Sequence, residues 1–488
     1  MEFVDFVLPF DGRLSEANRW IKLAALIPWE EFEEAYSKNL AGSGMGAPAK
    51  PVRLALGSLI IREQLGCSDI EAVEQIRENP YLQYFLGFSA FSNEPPFDPS
   101  MFVHFRKRFD LASLGKINEL IIALNARDKA KKAAKNNDDD DQGAGTKKNS
   151  GKLIIDATCA PADITHPTDL KLAGKAREKT ELIIDRLHEA DPTPRSKPRT
   201  YRRKARREYL KAAKTRGLSG KQRIRVIKKQ LNYLSRNLKS INKLGEQVGL
   251  QKLPSNLYAD LLVLEAIHRQ QRQLYFEGKY RVANRIVSLA QPHIRPIVRS
   301  KARAKTEFGA KISLSIEEGL CHLHRFDFDS YNECEDLIEQ VELYKRRHRV
   351  YPESVHADNA YRNKKNRCYC RERGIRLSGA PFGKRSNWKG GADCKLAYQD
   401  LIDRVAIEGK IGQAKRRYSL GLVMTKLAST TRTSVAITII TMNLLQILRR
   451  VSSSLFALAL RAPHLLADLL SADSPVQNQS STPPAFQG

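Results

Sequence analysis

Strand-forming sequence appears at Lys152–Asp156, breaks off for a long helical stretch, and returns at Phe308. Lys152-Leu-Ile-Ile-Asp156 is a β-branched run ending in a carboxylate, which suits a buried strand. Phe308–Ile316 and Leu320–Phe328 alternate apolar with polar residues on either side of Glu318-Gly319, the pattern of a hairpin. Strands this far apart can share a sheet only if the residues between them fold as an insertion. Residues 171–300 fit that role. Tyr201–Arg216 reads as a cationic helix, and Ser219 and Gln222 have capping-box spacing for the next one. That helix carries a seam of Ile224, Ile227, Leu231, Leu234, Leu238, Ile241 and Leu244. Gly245–Pro254 breaks it, and Leu257, Leu261, Leu264, Ile267 and Leu274 repeat the pattern, so the two helices predict an antiparallel pair.

The insertion is also where the charge lies. The 488 residues carry a net +28, and residues 171–300 hold 32 Lys and Arg against 10 Asp and Glu, a net +22. Such a balance does not suit an ordinary metabolic enzyme. It points to a polyanion, most simply nucleic acid, with an anionic membrane surface as the weaker alternative. No membrane span is expected, because the longest apolar run, Ser434–Leu448, is short and contains Thr and Asn. The acidic N-terminus, MEFVDFVLPFDGR, does not read as a signal peptide. Seven cysteines without regular spacing, Cys368, Cys370 and Cys394 among them, predict reduced thiols in a cytosolic protein and no zinc site.

Residues 1–125 read as helical, with helices expected at Pro51–Gln64, Asp69–Arg77, Pro80–Gly87 and Pro99–Phe109. The last ends in Arg106, Lys107 and Arg108, so the set has the form of a helix-turn-helix or of a plain helical bundle. Residues 126–150 are polar and charged, as in a flexible linker, and the Asp138–Asp141 run there is a solvated one. Beyond the hairpin the pattern predicts a helix at Tyr331–Arg347, a strand at Ser354–Asp358 and a basic helix at Tyr361–Arg373. A short strand at Gly374–Ser378, a loop at Ala380–Gly391, a helix at Tyr398–Tyr418 and an apolar helix at Thr433–Leu448 follow, with a disordered tail at 471–488.

The Tyr398–Tyr418 helix places Arg404, Glu408 and Lys415 within roughly 60° of arc, flanked by Asp400, Asp403, Arg416 and Arg417. Taken alone this is a solvated face. Gly409 and Gly412 argue otherwise, since each costs about 1 kcal/mol against Ala inside a helix. Asp156 and Asp358 on strands and Glu408 on a helix could meet at one sheet edge. Three hard oxygen anions suit Mg²⁺ or Mn²⁺, and two such ions about 3.5–4 Å apart serve phosphodiester chemistry. Asp163 and Asp169 are the nearest substitutes for the first ligand, whereas the helical spacing around Asp185 puts it on a helix surface.

Three stretches carry a family resemblance: Ile154-Ile-Asp156-Ala-Thr158, Ala357-Asp358-Asn-Ala-Tyr361, and Arg404-x3-Glu408-x6-Lys415. Together they resemble DDE transposases of bacterial insertion sequences, in the family-five group. One position departs: the group's signature has tyrosine where Leu401 stands, and Tyr398 lies one turn earlier. The resemblance implies an α/β RNase H-like catalytic domain with a mixed sheet over 151–450, interrupted by the basic helical insertion at 171–300. It also implies an all-helical DNA-binding domain at 1–125, a linker at 126–150, and a C-terminal helix and tail at 451–488. It implies that Asp156, Asp358 and Glu408 hold two Mg²⁺ or Mn²⁺ ions. Water would then cut at the transposon end, and the freed 3′ hydroxyl would attack target DNA. Arg404, Lys415, Arg416, Arg417, Tyr361 and Arg362 would contact DNA, as would Arg202, Arg203, Arg206 and Arg207 of the insertion. Its partners would be the inverted repeats and target DNA, in a homodimer or higher assembly at the bacterial nucleoid. The competing readings are a non-catalytic DNA-binding protein, such as a decayed transposase or repressor, and an RNase H-like nuclease that cuts without joining.

Overall fold

A computed structural model describes residues 7–8, 12–37, 49–134, 148–193, 196–298, 306–379 and 390–472. Seven helices come first: α1 Arg19–Leu26, α2 Trp29–Ser37, α3 Val52–Leu65, α4 Asp69–Glu78, α5 Pro80–Phe85, α6 Met101–Arg108 and α7 Leu111–Ala134. Asn18, Ser68 and Asn79 cap α1, α4 and α5 by accepting from backbone N–H groups, and Gly66, in the left-handed region, ends α3. The cations of α6 are partly spent on holding these helices together. Arg106 is buried and donates to both oxygens of Asp69 at 2.8 and 2.5 Å, while Arg108 donates to the Tyr36 hydroxyl. Helix α7 continues through residues 126–134 of the stretch read as linker, where Ala, Lys and Arg are good helix formers. The Asp138–Asp141 run, the loop at 380–389 and the tail from 473 lie outside the described residues.

The sheet contains β1 Lys152–Pro161, β2 Arg295–Val298, β3 Thr306–Glu317, β4 Leu320–Asp327, β5 Ser354–His356 and β6 Arg376–Leu377. The order is β2-β3-β1-β5-β6, with β4 also on β3. β3 lies antiparallel to β1, β2 and β4, while β5 is parallel to β1 and β6 to β5. The hairpin expected at 308–328 is present, turning at Glu318 and Gly319, both with positive φ as a tight two-residue turn requires. Two strand assignments differ from the sequence pattern. β1 runs five residues beyond Asp156, so this carboxylate is mid-strand and not at a strand end, because β3 supplies partners all the way to Pro161–Gly309. The close approach there needs Gly309, where a Cβ would stand 2.0 Å from the Ala160 carbonyl oxygen. And 171–300 is not wholly helical: it closes with β2, an edge strand that tolerates Pro296.

The insertion comprises α8 Asp169–Glu189, α9 Arg202–Lys214, α10 Gly220–Val248 and α11 Ser255–Tyr275, packed around their own apolar cluster. The Ser219–Gln222 capping box is formed. Asp169 ties the base together, accepting from the Tyr275 hydroxyl at 2.5 Å and from Arg285 at 2.7 Å.

The two faces of the sheet are covered differently. Leu153, Ile155 and Val355 pack with Leu337, Val341 and Tyr344 of α12 (Asp336–His348) and with Cys370 of α13 (Lys364–Glu372). Ile154, Ile312 and Leu314 join the main core, which also contains Ile407 and Ala414 of α14 (Gly390–Arg417) and the N-terminal helices. Through that core runs α15 (Ala428–Ala472), buried from Thr433 to Leu448 except for half-buried Gln446. Its Ala428–Ser452 segment is long and apolar enough to cross a membrane, but 78% of that window is buried inside the protein, as in a core helix. Three buried polar residues at its centre are matched: Thr433 to the Arg106 and Phe109 carbonyls, Thr438 to Glu63, and Asn443 to Asn118 and the backbone of Cys321.

A charged cluster joins β3 to α7 and α12. Glu317 is buried and accepts from Arg347 and, at 2.8 Å, from His348; Glu119 of α7 contacts His322 and Arg347. Burial pushes the Glu317 carboxyl up, but His348, His322 and Arg347 outweigh it and hold the pKa at about 2. A carboxyl depressed on folding stabilises the fold above its unfolded pKa and loses that contribution as pH falls toward its folded value. Glu317 is therefore expected to contribute about 3 kcal/mol at neutral pH, lost between about pH 4.5 and pH 2. Denaturant titrations across that window should show the loss in the native chain and a flatter acid limb in Glu317→Gln. Identical acid limbs would contradict it.

Candidate active site

The parallel pairing of β1 with β5 brings together the two chain segments that carry the first two carboxylates. That register ends at Ile154 opposite His356, with Asp156 two residues further along β1 and Asp358 two residues past the end of β5. Strand alternation puts Lys152, Ile154 and Asp156 on the face that meets α14. Asp358 lies two residues past the end of β5, where its side chain caps a short 3-10 turn by accepting from Asn359 N–H at 2.7 Å. Asp156 accepts from Ala157 N–H at 2.8 Å.

Helix α14 supplies the third carboxylate. The Arg404 guanidinium bridges the two chain segments, 3.4 Å from Asp358 Oδ1 and 3.4 Å from Glu408 Oε1. Asp358 and Glu408 are 58% and 56% exposed, so a reagent can reach them and each contact is weak in water. The bridge matters for geometry more than for stability: a cation between two carboxylates offsets their repulsion and keeps them within reach of one ligand.

The other candidates divide. Lys415 is half-buried and Arg416 and Arg417 are exposed at the end of α14, on the same helix as Glu408. Arg362 is half-buried. Tyr361 is not available to a DNA backbone in this structure, because its ring is fully buried in the cluster with Leu153, Ile155 and Val355. Its hydroxyl pKa is raised by burial first and then by the charges of Glu333, Asp156 and Asp336. Arg203, Arg206 and Arg207 are exposed on α9, as is Arg202, which donates to both oxygens of Asp185 at 3.0 and 2.6 Å.

Beside the acids lies a group that the sequence pattern concealed. His356 of β5 is fully buried, with Nδ1 3.5 Å from Asp400 and Nε2 3.8 Å from Asp403. Lys152 donates to Asp403 at 2.6 Å and Arg376 to Asp400 at 2.7 Å. Burial lowers the His356 pKa against the opposing pull of Asp400 and Asp403. Asp403 is pushed up by burial but brought down further by hydrogen bonds from Lys152 and Gln399. Asp400 and Asp403 read as solvated neighbours of Glu408. The available signal was their spacing of three, which sets both on one helix face, and the alternation in Ser354-Val-His356.

Comparison with known proteins gives two family matches. Residues 355–445 match the family described as "Transposase DDE domain", and residues 8–108 match "Transposase domain (DUF772)". The first spans Asp358 and Glu408 but begins after Asp156. A protein of Rhizobium meliloti named "Uncharacterized protein ORF8 in nfe locus" is 32% identical over 166 residues, 34% of this chain and 72% of that protein. No solved structure matches. With one transposase family matched over residues 8–108 and another over 355–445, the chain belongs to the DDE transposases of insertion sequences.

Proposed function

We propose that the chain binds the terminal inverted repeats of an insertion sequence and catalyses metal-dependent cleavage and transfer of DNA strands. The observation that supports this reading is the placement of Asp156, Asp358 and Glu408 on neighbouring elements: Asp156 on β1, Asp358 just past the end of β5, the strand paired parallel to β1, and Glu408 joined to Asp358 through Arg404. A mixed sheet with its first strand central, β3 antiparallel to it and β5 and β6 parallel supports an RNase H-like catalytic domain over 151–450. The 171–300 insertion and the helical region 1–125 would be its DNA-binding additions, 126–150 would join the latter to the sheet, and 451–488 would form the C-terminal helix and tail.

The donor set fits Mg²⁺ or Mn²⁺. All three candidate ligands are carboxylate oxygens, and the Arg404 cation already spans two of them at 3.4 Å. Asp156, Asp358 and Glu408 would hold the ions. When bound, two such ions polarise the phosphodiester, activate the attacking oxygen and stabilise the leaving 3′ oxygen. Arg404 keeps Asp358 and Glu408 together, and Lys415, Arg416 and Arg417 face the phosphate backbone beside them. Arg203, Arg206 and Arg207, exposed on α9, extend the basic surface, where contact with DNA would be strongly salt-dependent. Synapsis of two transposon ends calls for a dimer or higher assembly on DNA, at the bacterial nucleoid.

Asp156→Asn, Asp358→Asn and Glu408→Gln are each expected to lower strand cleavage by about 10³-fold, roughly 4 kcal/mol of barrier, with DNA binding retained. Gel assays of cleavage and of mobility shift measure the two separately, and full cleavage in all three variants would sink the reading. Arg404→Ala should lower cleavage by about tenfold and recover part of it at high Mg²⁺, because a dication can replace the missing charge. Arg404→Lys, which keeps the charge but not the planar fork, should fall between them. A Mg²⁺ titration of cleavage rate checks the order, and three superimposable curves would contradict it.

A further inference from the structure

The first half of α14 is inverted. From Lys395 to Ala406 the one buried residue is Asp400, and Asp403 is half-buried beside it. Tyr398, Leu401, Ile402 and Val405, which share a helical stripe, are exposed. An ordinary helix docks its apolar face, as α14 itself does further on at Ile407 and Ala414. Over its first half α14 instead meets the sheet through charge. Asp403 is held by Lys152 of β1 at 2.6 Å and by Gln399 of its own helix at 3.2 Å. Asp400 is held by Arg376 of β6 at 2.7 Å. Between the two lies fully buried His356 of β5, whose Nε2 is 2.9 Å from the Ser354 hydroxyl. His356 Nδ1 and Asp400 Oδ1 face each other at 3.5 Å, and neither has a hydrogen-bond partner.

The cluster could be taken for a metal site, since ligand atoms of His356, Asp400 and Asp403 lie within 4.8 Å of one another. Its charge argues against that. Two carboxylates are already matched by one lysine and one arginine, and a dication would have to displace them or sit beside them in a buried pocket. Its position suggests a different role. Lys152 is four residues before Asp156 on β1, His356 is two residues before Asp358 on β5, and Asp400 and Asp403 precede Arg404 and Glu408 on α14. Each element that carries a DDE acid contributes to the cluster.

We propose that Lys152, His356, Arg376, Asp400 and Asp403 are positioning residues that fix the rotation and height of α14 against β1 and β5, and so set the spacing of Glu408 and Arg404 from Asp156 and Asp358. This rests on the carboxylate reading of the active site. The lock acts through ion pairs whose partners lie on three different strands and one helix. Loss of a single pair lets the helix, which buries no apolar side chain from Lys395 to Ala406, shift on the sheet. Groups that orient metal ligands in this way typically contribute about 10–100-fold to metal affinity.

The test is Mn²⁺ binding to the full chain by titration calorimetry without DNA, with thermal melts by circular dichroism run alongside. Lys152→Ala, Asp403→Asn and His356→Gln are each expected to weaken binding by about tenfold while remaining folded. The charge reversal Lys152→Glu with Asp403→Lys should restore affinity to within about threefold, a coupling that a merely structural role would not produce. It also carries the test if a single variant fails to fold. Asp358→Asn, the reference, should abolish binding. Unchanged affinity in the folded single variants, or no recovery in the reversed pair, overturns the lock alone. Binding that survives Asp358→Asn but is lost in His356→Gln puts the ion in the cluster itself and overturns it too. A native chain that binds no Mn²⁺ overturns the carboxylate site, and the lock with it.

Discussion

A helix that is apolar on every side has to be wrapped on every side, and α15 imposes that requirement on the rest of the chain. From Val435 to Leu448 it buries Ile437, Ile439, Ile440, Leu444, Ile447 and others, each worth about 1.5–3 kcal/mol when fully removed from water. No single neighbour can cover it. It packs on α1, α3, α6 and α7 from the N-terminal region, on β4 of the sheet, and on α14. Thr433, Thr438 and Asn443 set its rotation, because each would be an unpaired polar group in any other register. Glu63 extends the same tie, accepting from Thr438 and from the backbone and hydroxyl of Ser419 just after α14. The N-terminal helices and the sheet are thereby parts of one core.

The elements of the candidate site hang from that core at one end only. Ile407 and Ala414 anchor the second half of α14 in it, and Ile154 does the same for β1. Toward the acids, apolar contact gives way to charge: Arg404 between Asp358 and Glu408, then Asp400 and Asp403 against Lys152, Arg376 and His356. Apolar packing tolerates sliding, whereas ion pairs of 2.6–2.7 Å specify direction and distance. A site whose ligands come from separate elements needs the second kind of contact.

Much of this architecture was legible in the residue pattern, for identifiable reasons. The β3–β4 hairpin was visible because Phe308–Ile316 and Leu320–Phe328 alternate around a glycine turn, and α10 and α11 because their leucine seams persist over several turns. The second half of β1 was not, since Ala157-Thr-Cys-Ala-Pro161 carries little hydrophobic signal and is held by the β3 ladder and the absent side chain of Gly309. β2 was hidden by its proline and arginine at the edge of a basic block. The candidate site was proposed from the sequence, and only the placement of its residues can be compared with the structure. Spacing and family resemblance pointed to the acids and to Arg404. Periodicity misled about Asp400 and Asp403, because it presumes that apolar residues turn inward and charges outward, and from Lys395 to Ala406 α14 does the reverse; the resemblance misled about Tyr361, whose ring packs in the cluster with Leu153, Ile155 and Val355.

The central claim is that the three acids serve strand cleavage and joining. The most direct measurement is incubation of the full chain with DNA carrying the element's ends, a target duplex and Mg²⁺, with every new 3′ hydroxyl and every joined strand mapped to the nucleotide. The expected result is 3′ hydroxyls at the element's ends and their covalent joining to target DNA, both dependent on the divalent ion. Ends that are bound but never cut, or cut but never joined, would contradict it.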